Sequence, residues 1–142
     1  MANLVAKAEI YVEASADRVW RALTDPAEIK QYMFGTDVET DWQPGSPITW
    51  SGEYEGKPYQ DKGKVVAVEA GKRLKVTHYS PMGGKPDTPE NYHAVTYELS
   101  ENGNQTHVVL SQDNNGDAEE QKHASDNWQM VLDGLKKVVQ QA

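Results

Sequence analysis

The last sixth of the chain constrains the fold more than any other feature of the sequence. Its apolar residues recur at i, i+4 and i+7, which predicts one helix from Ala118 to about Gln140. Glu119 and Glu120 lie near its start and Lys136 and Lys137 near its end, as the helix macrodipole favours. The apolar stripe consists of Ala124, Trp128, Val131, Leu132, Leu135, Val138 and Val139. A helix on the order of 35 Å long needs a large apolar surface to cover that stripe.

The residues that precede this helix are predicted to form a sheet, which would provide that apolar surface. Alternating and β-branched segments separated by Gly, Pro and Asn turns are typical of strands joined by hairpins. The six predicted strands are Asp37 to Asp41, Ile48 to Tyr54, Tyr59 to Glu69, Arg73 to Tyr79, Tyr92 to Leu99 and Thr106 to Gln112. A twisted antiparallel sheet cannot bury its own face, so the sheet and the long helix are expected to cover each other. One connection, Ser80 to Asn91, is long enough to be either functional or mobile.

The first thirty-five residues predict a strand followed by two short helices. Lys7 to Glu13 alternates between apolar and polar residues, as a half-buried strand does. Ser15 is a suitable N-cap for a helix over Ala16 to Leu23, and Asp25-Pro26 with Glu28 resembles a capping box that starts a second helix. The predicted order is therefore β, two α, six β and one α. This order predicts a single α+β domain over residues 1–142, with a curved antiparallel sheet wrapped around the C-terminal helix.

The composition predicts an unusual core. Leu, Ile, Val and Phe make up 25 of the 142 residues, a fraction below the ~20% under which a chain of high net charge is expected to be disordered. Seven Tyr and four Trp supply the missing apolar area, and the polar atoms of buried Tyr and Trp seek hydrogen-bond partners. We therefore expect a core that encloses a partly polar pocket.

Charge and motif content disfavour several classes of function. A formal charge of -8 disfavours nucleic acid, which requires a basic face. The sequence has no apolar run long enough to span a membrane, no signal-peptide core and no cysteine, which favours a cytoplasmic protein. Catalytic signatures and the spacing of metal-ligating histidines are missing, so we expect no cofactor and no metal.

The alternation of side chains places several aromatic and histidine residues on the sheet face that meets the long helix. Trp50, Tyr54, His78, His93 and Tyr97 are expected to project into this interior. They would be either ordinary core residues with satisfied polar atoms or the wall of a small-molecule cavity with convergent polar groups.

Four other residues are candidates for the same site. Trp128 on the long helix fits a core and a cavity equally well. Tyr32 and Met33 are candidates for one rim of an entrance, and Met82 in the long loop could form an adaptable apolar lid on the other side.

Five segments together match one known family. They are Ala14 to Pro26, Gln43 to Ser46, Gly63 to Glu69 with Arg73-Leu74, Thr106 to Leu110 and the closing amphipathic helix. With these segments the chain resembles, over nearly its whole length, the activator-of-Hsp90-ATPase-homologue family, which belongs to the START/Bet v 1-like superfamily with the helix-grip fold. The resemblance implies a cavity between sheet and helix that holds a hydrophobic, aromatic or amphipathic small molecule.

Two other functions remain open at this point. The resemblance extends to cyclases and aromatases, for which His78 and His93 would be the acid–base candidates because histidine exchanges protons near neutral pH. The family name also implies a possible chaperone partner and a role in stress responses. Overall, we expect a monomer or weak dimer. We expect no established reaction.

Overall fold

A computed structural model describes residues 4–81 and 84–141, and at Tyr54 and Gln141 it describes the backbone only. The elements are β1 (Leu4–Val12), α1 (Ala16–Thr24), α2 (Pro26–Tyr32), β2 (Asp37–Glu39), β3 (Pro47–Tyr54), β4 (Lys57–Glu69), β5 (Arg73–His78), a 3-10 turn (Pro89–Asn91), β6 (His93–Asn102), β7 (Gln105–Asn115) and α3 (Ala118–Gln141). The predicted α+β class and the predicted order of strands and helices are confirmed.

The strands form one antiparallel sheet in the order β1-β7-β6-β5-β4-β3-β2. β6 and β7 extend further than predicted, since the pairs Glu101↔Thr106 and Asn102↔Gln105 continue the ladder to the turn. Polar residues at exposed hairpin ends break the apolar alternation without breaking the pairing. β2 is shorter than predicted, and the Ser80–Asn91 connection contains the 3-10 turn.

The long helix α3 lies parallel to the edge strand β1 and is tied to its backbone by side chains. Gln121 Nε2 donates to the Val5 carbonyl at 2.8 Å, and Gln129 Nε2 donates to the Glu9 carbonyl at 3.0 Å. Between them, the backbone N–H of Lys7 donates to Ser125 Oγ at 3.3 Å. The helix thus occupies free backbone groups of an edge strand, which would otherwise be open to pairing with another chain.

The spacing of these contacts follows from the two backbone geometries. Steps of four residues along a helix advance about 6.0 Å, and steps of two residues along a strand advance about 6.6 Å. The helix positions 121, 125 and 129 therefore stay in step with the strand positions 5, 7 and 9. A fourth contact, from the N–H of Glu13 to Gln140 Oε1 at 2.9 Å, secures the far end.

The buried core lies where α3, α1 and β1 meet the neighbouring strands. From α3 it takes Val131, Leu132, Leu135 and Val139, all in the second half of the helix. Ala124 and Trp128, in the first half of the same stripe, are only partly buried. The apolar stripe therefore fills the core at one end and leaves space at the other.

The junction between α1 and α2 is closed by Tyr32. Pro26 starts α2 and has no N–H, so the Ala22 carbonyl cannot receive the usual i+4 helical hydrogen bond. The buried Tyr32 hydroxyl donates to that carbonyl at 2.8 Å instead. Asp25 caps α2 through the N–H of Ala27 at 2.9 Å.

The glutamates near the starts of α2 and α3 play different roles. Glu28 does not act as the reciprocal partner in a capping box, because its carboxylate faces α1 and pairs with Arg18 at 2.7 Å and Arg21 at 3.5 Å. At the start of α3, Asp117 Oδ1 does accept from the N–H of Glu120 at 2.8 Å, and Glu120 Oε2 reaches back to the N–H of Gly116 at 3.0 Å.

The sheet bends at β4, where β4 and β5 approach unusually closely. The register of this pair shifts between Val65 and Ala67, as at a β-bulge. A Cβ atom at Gly63 would lie 1.8 Å from the Thr77 carbonyl oxygen, so only glycine fits there.

We predict that the contacts between α3 and the edge of β1 are worth about 1–2 kcal/mol together, since each is a partly exposed hydrogen bond. The double variant Gln121→Ala, Gln129→Ala should lower the free energy of urea unfolding by that amount, although alanine favours helix formation. Lys137→Ala, at an exposed site on the same helix, is the control. A double variant as stable as the control would show that α3 is positioned by its apolar stripe alone.

Candidate functional site: a cavity between the sheet and the long helix

A cavity of about 750 Å³ lies between the inner face of the sheet and the first half of α3. Its apolar floor comes from β3, β5 and β6, where Ile48, Leu74, Val76 and Val95 are buried. Val76 and Val95 are direct partners in the β5–β6 register, so their side chains stand side by side on the inner face.

Aromatic side chains form the walls above this floor. Tyr59 lies over Gly52, its partner in the β3–β4 register, and a Cβ atom at Gly52 would lie 2.8 Å from Tyr59 Oη. The glycine therefore makes room for the phenol ring, whose oxygen is 2.8 Å from Thr36 Oγ1. On the helix side, Trp128 Nε1 donates to Gln112 Oε1 at 2.7 Å.

An aspartate–histidine pair lies on the polar side of the cavity. Asp61 Oδ2 is 2.9 Å from His78 Nε2, and the side chains are 17% and 25% exposed. The Trp50 ring meets the His78 ring edge to face at a centroid distance of 5.0 Å. The other carboxylate oxygen, Asp61 Oδ1, is buried and has no hydrogen-bond partner in the described part of the chain. The pair can exchange a proton with a bound molecule or accept a hydrogen bond from it.

Two buried tyrosines line the same space. Burial raises the pKa of Tyr97 above its usual range, because the charged phenolate would lose its hydration. Burial also raises the pKa of Tyr32, and the nearby Tyr97 and Glu28 raise it further. Both phenols therefore stay neutral wherever the protein is folded at ordinary pH.

The mouth of the cavity is marked by two aromatic residues with strained backbones. Phe34 has φ of 56° and Trp42 has φ of 61°, in the left-handed region that bulky residues rarely adopt. Both line the cavity, and Phe34 is 66% exposed. Strained residues of this kind persist only where the surroundings hold them, and they cluster at ligand sites.

Six of the nine ligand-site candidates line this cavity: Tyr32, Met33, Trp50, His78, Tyr97 and Trp128. Two candidates cannot be placed, because Met82 and the side chain of Tyr54 lie outside the described residues. The structure gives Tyr32 a second role that the sequence did not indicate, since its hydroxyl is used at the α1–α2 junction.

His93 is placed differently from the prediction. It directly opposes His78 in the β5–β6 register, but it lines a smaller neighbouring pocket of about 260 Å³ together with Lys85 and Asn91. Its Nδ1 atom is 2.8 Å from the Asp113 carbonyl oxygen. Alternation identifies the face of a strand but not the position along it, and His93 is the first residue of β6. His78 also lines this smaller pocket, so the two histidines share it, whereas only His78 lines the larger cavity as well.

Sequence reasoning missed several cavity residues, of which Asp61 and Tyr59 are the most informative. Counting back in steps of two from buried Val65 through Gly63 would have placed both on the inner face. Thr36, Trp42 and His123 come from a loop segment and a helix surface, where no alternation identifies them.

The described residues contain no group of three His, Cys, Asp or Glu side chains arranged to hold a metal ion. Among the helices described, none is long and apolar enough to cross a membrane.

Sheet, helix and cavity together define a helix-grip domain. Residues 13–140 match the family described as Activator of Hsp90 ATPase homolog 1-like protein, and the chain belongs to this family. The predicted family is therefore confirmed. No curated protein matches the chain.

Solved structures from several bacteria share the fold. The solution structure of ChR145 from Cytophaga hutchinsonii is 46% identical, with a TM-score of 0.86 over 99% of this chain and 97% of that one. The Aha1 dimer from Colwellia psychrerythraea is 21% identical, with a TM-score of 0.75 over 96% of each chain. CalU16 from Micromonospora echinospora is 21% identical, with a TM-score of 0.73 over 97% of this chain and 85% of that one.

We predict that Tyr32 and Tyr97 resist ionisation during an alkaline titration followed by phenolate absorbance. The folded state holds their protons more tightly than the unfolded state, so the free energy of unfolding should fall as the pH rises above about 10, by about 1.4 kcal/mol per pH unit for each phenol. Tyr97→Phe should reduce this slope, whereas Tyr11→Phe, at a half-exposed site, should not. Ionisation of all seven tyrosines in one step before unfolding would contradict the structure.

Proposed function

We propose that this protein binds a small hydrophobic or amphipathic molecule with an aromatic body in the cavity between the sheet and α3. The observation that carries the proposal is the cavity of about 750 Å³ with an apolar floor and polar groups on one side. Ligand sites in proteins usually have volumes of roughly 300–1,000 Å³ and this composition.

The cavity is open to solvent, since Phe34 in its lining is 66% exposed. Water therefore occupies the space when no guest is bound. Water against Leu74, Val76 and Val95 is released when an apolar molecule enters, which favours binding.

The polar groups of the cavity support an amphipathic guest rather than a purely apolar one. Asp61 and His78 offer hydrogen-bonding atoms beside the Trp50 ring. The Tyr97 side chain adds a neutral phenol on the neighbouring strand. A flat aromatic body could lie on the valine floor with its polar substituent toward Asp61.

The experiment is a titration with 1-naphthalenemethanol, a neutral aromatic alcohol, followed by amide shifts in two-dimensional NMR spectra. We expect saturable shifts that concentrate on β5 and β6. Val95→Trp should abolish them by filling the floor of the cavity. Val66→Trp, at a 45% exposed position on β4, adds the same indole outside the cavity and should bind normally.

Two outcomes would contradict the proposal. One is the absence of saturable shifts with this probe and with larger neutral aromatic alcohols. The other is undiminished binding by a folded Val95→Trp variant, because a guest unaffected by the indole cannot occupy the cavity.

Catalysis and chaperone interaction stay predictions. The orientation of His78 by Asp61 favours proton transfer to a guest. Recovery of the probe unchanged after long incubation would argue against conversion of that probe.

A chaperone role predicts a change in the ATPase rate of a bacterial Hsp90 on addition of this protein. A cytoplasmic location and a monomer or weak dimer likewise stay predictions.

A further inference from the structure

We propose that the cavity selects guests that carry a cationic nitrogen next to an aromatic body, and discriminates against carboxylates. The inference rests on the proposed binding function and names the chemical class of the ligand.

The charged residues around the cavity are of one sign. Four carboxylates line it, from Asp61, Asp117, Glu119 and Glu120. Among the described lining residues there is no lysine and no arginine. A carboxylate guest would enter this space without a cation to pair with, and like charges at short range in a poorly hydrated site repel strongly.

Asp61 is the carboxylate that a deeply bound guest would meet. Its Oδ2 atom is engaged by His78 at 2.9 Å, whereas its buried Oδ1 atom has no hydrogen-bond partner among the described residues. A buried acceptor without a donor is costly. A protonated amine on the guest would supply both a donor and the opposite charge.

Three of the carboxylates come from the start of α3, where acidic side chains are favourable for the helix, and their number decides their effect on the guest. Asp117, Glu119 and Glu120 lie at or next to the first turn of α3, where the helix dipole is equivalent to about +0.5 charge. Three carboxylates exceed that charge, so a helix start that would attract anions becomes negative.

Lys85 lines the neighbouring pocket with His78 and Glu120, but other basic side chains of the described residues already have carboxylate partners. Lys62 pairs with Asp87, and Arg18 and Arg21 pair with Glu28. Because these basic groups are already paired, they do less to neutralise the negative charge of the cavity carboxylates.

The aromatic walls suit the same class of guest. Trp50 stands beside the Asp61–His78 pair, and Trp42 and Tyr59 line the same cavity. The faces of such rings attract ammonium groups, most strongly where water is excluded. An aromatic wall next to a carboxylate thus offers two attractions to an amine and only one to an alcohol.

The experiment compares three probes of nearly equal shape: 1-naphthylmethylamine, 1-naphthalenemethanol and 1-naphthoic acid. The titrations use one buffer of low ionic strength for all three probes, so that charge effects are least screened. We expect the amine to bind about tenfold more tightly than the alcohol, and the acid to bind most weakly. Added salt should narrow the difference between amine and acid.

Asp61→Asn tests the residue at the centre of the proposal. It should remove most of the amine preference, so that the amine and the alcohol bind to the variant with similar affinities, because the amide keeps the size of the side chain and loses its charge. Asp126→Asn removes the same charge from an exposed site on α3 and should keep the preference.

The outcomes separate the two proposals. If the alcohol binds in the cavity and the amine binds no better, the charge preference is overturned and the binding function stands. If none of the three probes binds, both fail. An amine preference that survives in folded Asp61→Asn also overturns the inference. If that variant does not fold, the order of the three affinities in the unmodified protein and their dependence on salt decide whether the charge preference holds.

Discussion

The position of one helix along one edge strand determines the rest of this structure. Side chains of α3 bond to the backbone of β1 at Val5, Lys7 and Glu9, in a register that the rises of helix and strand keep in step. The helix therefore lies toward one edge of a seven-stranded curved sheet. A straight rod about 10 Å wide cannot contact every strand of such a sheet. The space left over β3 to β6 is the cavity.

This geometry explains why the apolar stripe of α3 has two roles. Its second half, around Leu132 and Leu135, is fully buried in the core. Its first half presents Ala124 and Trp128 to the cavity, and Trp128 uses its N–H to bond Gln112 across the gap. The shortage of Leu and Ile agrees with this arrangement, because much of the inner surface faces a space that is not filled by the protein. Tyrosine and tryptophan suit such a surface because their polar atoms find partners at its boundary.

Much of the fold followed from local physical chemistry. The spacing of apolar residues predicted α3, and the Ser15 and Asp25 caps placed the two short helices, because these signals depend on neighbours in the chain. The edge contacts of Gln121, Ser125 and Gln129 were not predicted, because polar residues at i, i+4 spacing indicate such contacts only when a strand is known to lie beside the helix. The closing of the Ala22 carbonyl by Tyr32 also depends on tertiary structure.

The sequence predicted which face of the sheet carries the site, but not how far the site extends along each strand. Alternation predicted Trp50, His78 and Tyr97 on the inner surface, yet it could not show that His93 lines a smaller neighbouring pocket instead of the cavity. Asp61 was missed because a carboxylate on an inner face contradicts the usual pattern of a buried strand. It is also the residue that gives the cavity its electrostatic character. Departures from local rules of this kind are expected at functional sites.

The most direct test of the central claim is a set of intermolecular nuclear Overhauser effects with bound 1-naphthalenemethanol. If the guest occupies the space beside α3, its ring protons will show effects to the methyl groups of Val76 and Val95 and to the Trp128 ring. Effects confined to outward-facing methyl groups such as those of Val66 would contradict the account. So would close contacts between Ala124 and Val76 in the free protein, because they would show the helix closed onto the sheet.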